Sequence, residues 1–223
     1  VIVTMASAAH AVDLNVRVPG WATRATVTVN GGGVSPVAPM QFFTALCGPG
    51  NTTVKLSLNP EIRVETGWGE AGYNSAVVTR GPLLFAFGLD ENEKMLHPPW
   101  ACFESGCSTD RQITSTEAWA HALVLPPSSD GQPSTHRMQF TRVGSPRTVP
   151  FATGASPVAI TAAARRISNW TMDPHFPFSA AHPPASPLAC TSAAVGCGDV
   201  QNITLVPFGS TRLRVAMFPW SAS

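Results

Sequence analysis

Apolar and polar residues alternate along much of this chain, and proline or glycine cuts each alternating run short. No other feature constrains the fold as tightly. In "LNVRVPGWA" (14–22), Leu14, Val16 and Val18 alternate with Asn15 and Arg17, and the run stops at Pro19-Gly20-Trp21. Period-2 alternation is the mark of a strand with one face buried, because successive side chains point to opposite sides of a sheet. Proline offers no ladder donor and glycine permits a reversal, so the strand should end where the sheet ends. The pattern recurs in "ATVTVNG" (25–31), "TVKLSL" (53–58) and "EIRVE" (61–65). Asn30-Gly31 is a strong turn signal, since both residues tolerate positive φ. With 21 prolines and 18 glycines in 223 residues, a helix of ordinary length has few places to form.

These signals predict an all-β chain: an antiparallel β-sandwich followed by a second, loop-rich β domain. The opening "VIVTMASAAHAV" reads as a strand at Val1–Met5 whose partners are expected outside the given sequence. No basic residue precedes it, so it is not read as a secretory leader. "SAVVTRGPLLFAFGL" (75–89) gives two strands broken at Arg80-Gly81-Pro82, the second buried on both faces. "LDENEKMLHPPW" is polar and proline-broken and suggests a boundary, with domains at 1–90 and 91–223. "EAWAHALVL" (117–125) fits a strand or a short helix. "SPVAITAAARRISNW" (156–170) opens as a strand, and its alanine-rich middle suits a helical turn. "QNITLVPFGSTRLRVAMFPW" reads as a terminal β-hairpin turning at Pro207–Ser210.

Charge excludes some functions. Only 12% of residues are charged and the net charge is +1, with no basic stripe, so nucleic acid is not an expected partner. No apolar run reaches the ~18 residues that a membrane-crossing helix needs, and no membrane is expected. Among the five cysteines, Cys102/Cys107 and Cys190/Cys197 form two close pairs in loop-like surroundings. Local disulfides in an oxidising compartment and reduced thiols are both open readings. Sequons at Asn51, Asn169 and Asn202 add weak support for a secreted or endomembrane-lumen location.

A catalytic apparatus is not visible. The carboxylates are scattered, with Glu61 and Glu65 placed as a solvated strand edge. There is no CxxC, HExxH or GxSxG, and His97, His121, His136, His175 and His182 are isolated. No metal ligands and no catalytic residues are therefore assigned. Trp68, in "TGWGEAGY" beside Tyr73, is the best candidate for a sugar-stacking platform, whereas Trp21, Trp119 and Trp220 are expected as core anchors.

"LNVRVPGWA", "ATVTVNG", "VVTRGPLLFAF" and "ITLVPFGSTRLRVAMFPW" occur in that order. The series resembles the C-terminal part of family 127 glycoside hydrolases, the β-L-arabinofuranosidase-like proteins. The family's strands read "LRIPGWA", a "VNG" turn, "RGPLVY" and "LVPYG…LRI…FP". The match is weak between about 91 and 200. The resemblance implies an upstream (α/α)6 catalytic barrel with a cysteine nucleophile, a glutamate acid/base and a zinc ion held partly by an adjacent Cys-Cys pair. This chain has no Cys-Cys and no barrel-length helical region, so none of those residues carries over. Cys47, Cys102, Cys107, Cys190 and Cys197 match no catalytic position, and zinc is implied only for the barrel. The implied role is a non-catalytic accessory region packed against that barrel, within a hydrolase of terminal β-L-arabinofuranosides. Alone, the chain is expected to be inactive. Two alternatives stand beside it: an independent carbohydrate-binding or adhesion module using Trp68 and Tyr73, and a catalytically silent structural paralogue.

Overall fold

The structure is a computed structural model that describes residues 1–8, 10–67, 75–96, 111–144, 154, 156–168, 170 and 197–222. Among the described residues the regular structure is strand, apart from one 3-10 turn at Phe208–Ser210. The fold is all-β, as the alternation predicts. The chain forms two compact units. One is Val1–Glu61 with Arg80–Pro82, and the other is Ile62–Thr79 with Leu83–Ser223. The change of unit thus falls well before the compositional change near residue 90. Strand pairing, not local polarity, decides it: the strands after Glu61 hydrogen-bond into the larger unit's sheet.

The smaller unit holds β1 (Ile2–Ala8), β2 (Val12–Arg17), β3 (Ala25–Val29), β4 (Ser35–Val37), β5 (Phe42–Cys47) and β6 (Gly50–Ser57). Four of them form an antiparallel sheet in the order β1-β6-β3-β4, and β2 pairs with β5. β1 therefore finds its partner inside the sequence, with Val3 opposite Val54. This corrects the expectation that its partner lies elsewhere; "TVKLSL" supplies the free edge. Both sheets feed one core containing Val18, Ala25, Val27, Ala45, Cys47, Val54 and Leu56. The alternation explains the choice: Val27 and Ala25 are buried on one face, Thr26 and Thr28 are not. After β2 the chain turns at Pro19-Gly20, where the Ala22 amide donates to the Pro19 carbonyl at 3.1 Å. Trp21 then packs against this core. Asn30 and Gly31 both have positive φ, 51° and 70°, as the turn signal requires.

The larger unit holds β7 (Ile62–Thr66), β8 (Ser75–Arg80), β9 (Leu83–Gly88), β10 (Asn92–Met95), β11 (Arg111–Thr114), β12 (His121–Val124), β13 (Gln139–Arg142), β14 (Val158–Ile167), β15 (Cys197–Pro207), β16 (Arg214–Val215) and β17 (Phe218–Ser221). Its main sheet runs β16-β9-β15-β14-β12-β17-β8-β7, and β8 also pairs with β9. That second pairing closes β9, β15, β14, β12, β17 and β8 into a ring. β12 pairs with β17 in parallel, whereas β16 with β9, β9 with β15, β15 with β14, β14 with β12 and β17 with β8 are antiparallel. The interior is filled by Phe85, Phe87, Leu123, Leu125, Ile160, Ala162, Ala164, Ile203, Leu205 and Phe218.

Two local expectations change. The alanine-rich stretch is a ten-residue strand, β14, and makes no helical turn. Alanine has a high helix propensity, but here β14 is hydrogen-bonded on both edges, and its small side chains fit the narrow interior. The terminal "hairpin" is not one. β15 and β16 both pair with β9, which lies between them and sets Leu205 and Val215 on either side of Phe87. A distant strand outcompetes the local pairing because Leu83–Gly88 offers two bonding edges and an apolar side chain to each neighbour. The ambiguous "EAWAHALVL" contributes strand β12.

Candidate functional site

The described part of the larger unit contains a cleft of about 810 Å³. Ligand sites of small molecules commonly span ~300–1,000 Å³. Its apolar wall includes Phe87, Leu89, Val158, Ile203 and Val206, and its polar groups include Glu91, Glu117, His121, Gln201, Ser210 and Thr211.

His121 opens β12 and alternates with Leu123 and Leu125, so it shares their face. It is only 3% exposed. Its ring meets Phe87 edge-on, with centroids 5.1 Å apart. The Gln201 side-chain amide donates to His121 Nε2 at 2.8 Å, which leaves the proton of the neutral ring on Nδ1. Burial pushes the His121 pKa below its usual value, helped by Arg166 and opposed by a backbone bond at Trp119 and by Glu117. His121 is therefore a neutral, polar feature in an apolar wall.

The far rim is built on the 3-10 turn. Ser210 is 3% exposed, and its Oγ has no hydrogen-bond partner among the described residues. Its carbonyl accepts from the Gly154 amide at 3.3 Å. Arg214 lies 3.6 Å over the Phe208 ring and donates to the Thr211 carbonyl, which fixes the turn's exit. Gly88 approaches Thr211 so closely that an added Cβ would sit 3.3 Å from its side chain.

Glu91 accepts from the Arg212 amide at 2.8 Å and from its Nε at 2.7 Å. Burial alone would raise the Glu91 pKa, but the backbone and side-chain bonds from Arg212, with the Leu213 amide, outweigh it and hold the carboxyl below the usual range. Arg212 also reaches Glu93 at 2.7 Å, and Glu93 pairs in turn with Arg111. Glu91 is thus charge-compensated and poorly placed to give up a proton. Glu117 is a freer acceptor; one of its oxygens receives the Asp90 amide at 2.9 Å. A second hollow of about 490 Å³ lies beside Trp119 and Trp170. Those rings pack edge-on, 5.0 Å apart, and Trp170 is 4% exposed, so it presents no free face for stacking.

Of the candidate site residues and core anchors singled out in the sequence, those that the structure describes do not line this cleft. Trp68 and Tyr73 lie outside the described residues, as do Cys102, Cys107 and Cys190. Cys197 is disulfide-bonded, and Cys47 is a free thiol buried in the smaller unit's core. Trp21, Trp119 and Trp220 all pack against cores, as anchors should. Glu61 pairs with Arg24 at 3.1 Å on the surface. The sequence has no adjacent cysteines, and no three His, Cys, Asp or Glu side chains cluster among the described residues. The cleft residues went unnoticed because they come from five separate segments. One local signal existed, a histidine inside the apolar run "AWAHALVL".

No protein-family profile matches the sequence, and no curated protein matches it. Among solved structures, one named "Glycoside hydrolase" matches over 99% of this chain and 30% of that chain, with a TM-score of 0.54 at 17% sequence identity. The chain shares its fold with part of a glycoside hydrolase. A second match is the crystal structure of Ara127N-Se, a GH127 β-L-arabinofuranosidase from Geobacillus stearothermophilus T6, over 99% of this chain and 28% of that chain, with a TM-score of 0.49 at 16% identity. The chain therefore spans about 30% of the glycoside hydrolase structure whose fold it shares.

Proposed function

We propose that this chain is the C-terminal, non-catalytic accessory region of a glycoside hydrolase. Its partner is an (α/α)6 catalytic barrel of the same polypeptide, and the parent reaction is hydrolysis of terminal β-L-arabinofuranosides. The observation that carries this reading is the match of nearly the whole chain to under a third of a glycoside hydrolase.

Two features of the chain support it. Glycoside hydrolysis usually needs a carboxylic acid kept protonated near neutral pH, opposite a second carboxylate. Among the described residues, Glu91 is held ionised by Arg212, and Glu61 is spent on an exposed ion pair. The outer face of β5, in the smaller unit, also exposes Phe42 (63%) and Leu46 (70%), apolar surface suited to cover by another body. The disulfide at Cys197 and the exposed sequon at Asn202 favour secretion or an endomembrane lumen.

Two measurements test this. The purified chain should not hydrolyse an aryl β-L-arabinofuranoside above the uncatalysed rate. Joined to a barrel containing Cys-Cys, encoded upstream, it should raise that barrel's thermal stability. Turnover at enzymatic rates by the chain alone would overturn the proposal, and so would an upstream sequence without a helical barrel.

A further inference from the structure

We propose that the cleft of the larger unit is a binding site for a single neutral sugar residue. This goes beyond the accessory role and does not depend on it. Three observations carry it. First, the volume of about 810 Å³ suits a small ligand, and Phe87, Val158, Ile203 and Val206 give it an apolar wall for the C–H face of a sugar ring. Second, its polar groups are of the kind that meet hydroxyls: the Gln201 amide, the His121 imidazole, the Glu117 carboxylate and the Ser210 and Thr211 hydroxyls. Third, Ser210 Oγ is buried without a partner among the described residues. An unpaired buried hydroxyl costs stability, and most such groups are satisfied. Ser210 lines the cleft, and rotation about its one side-chain torsion is the movement that would turn the buried hydroxyl toward a ligand oxygen.

The charges select against anions. Glu91 is neutralised by Arg212. Glu117 remains as an acceptor that repels anions, and the described lining holds no arginine or lysine to attract them. A hydroxyl-rich neutral ligand satisfies both an acceptor such as Glu117 and donors such as Gln201. The ligand could be a free monosaccharide or the end residue of a glycan; the chemistry is shared.

NMR titration of the 223-residue chain tests the site, following the His121 and Phe87 ring signals. The probes are methyl β-L-arabinofuranoside, methyl β-D-glucopyranoside, an arabino-oligosaccharide and acetate. Saturable shifts with at least one glycoside are expected, and acetate should not compete. A stronger response to the oligosaccharide identifies a glycan end, and an equal one identifies a free sugar. Ser210→Ala should bind about fivefold more weakly, as for one lost hydrogen bond, while melting no lower than the wild type. Gln201→Ala, at an exposed position, should also weaken binding. The proposal fails if no glycoside gives a saturable shift, if acetate displaces the glycoside, or if both variants bind as the wild type does.

Discussion

Gly81 shows how much one residue can matter. Its φ is +60°, and an added Cβ would stand 3.1 Å from Pro60 Cβ and 3.4 Å from the Trp21 ring. Gly81→Ala therefore meets both backbone strain and a clash. It should destabilise by roughly 1–2 kcal/mol from the strain alone, measured by urea unfolding. Burial sets the cost at Leu205, which is fully buried. Leu205→Ala should cost about 2–5 kcal/mol by the same assay. His121 carries a pH signature. Its folded-state pKa lies below its usual 6.5, so the unfolded chain takes up the proton first. Its contribution to stability is complete above pH ~6.5 and declines as pH falls from there to the folded value. His121→Gln should flatten that decline when unfolding free energy is measured across the window.

Between elements, one arginine joins segments far apart in sequence. Arg212, just before β16, holds Glu91 and Glu93, on either side of the start of β10. Arg212→Ala should lower the melting temperature at neutral pH. The gap to the wild type should close as pH drops through the depressed pKa of Glu91, because a protonated carboxyl has lost its attraction to arginine. Glu91 stabilises the fold above its unfolded-state pKa, and that benefit fades on acidification. β14 is limited by space instead. Ala162 and Ala164 are fully buried in the ring's interior. Ala162→Leu should cost about 1–3 kcal/mol through overpacking, although leucine is the more hydrophobic residue.

At the scale of the whole molecule, each unit has its own core and the larger one closes its sheet. Closure removes edges, so amides in the ring open only with it. Hydrogen exchange should be slowest at Ala162–Ala164, which pair with β15 across Gln201–Ile203. It should be fast in the two-stranded ribbon of β10 and β11, where Asn92–Met95 are all exposed. Mass-spectrometric exchange that ranked them the other way would contradict this reading of the sheet.

Alternation in the sequence was enough to set the strand class and to sort faces, as at Val27 against Thr28. Proline and glycine marked the strand ends, and Asn30-Gly31 marked its turn. These are local effects, written in neighbouring residues. Which strands pair was settled only in three dimensions. β9 entered between β15 and β16, β14 took strand geometry against its alanine content, and β1 found β6. Each outcome depends on buried contacts between residues far apart along the chain, and no local pattern encodes them. The cleft follows the same logic: His121, Gln201 and Ser210 are unremarkable alone, and they share a site because β12 and β15 both pair with β14 and the turn follows β15.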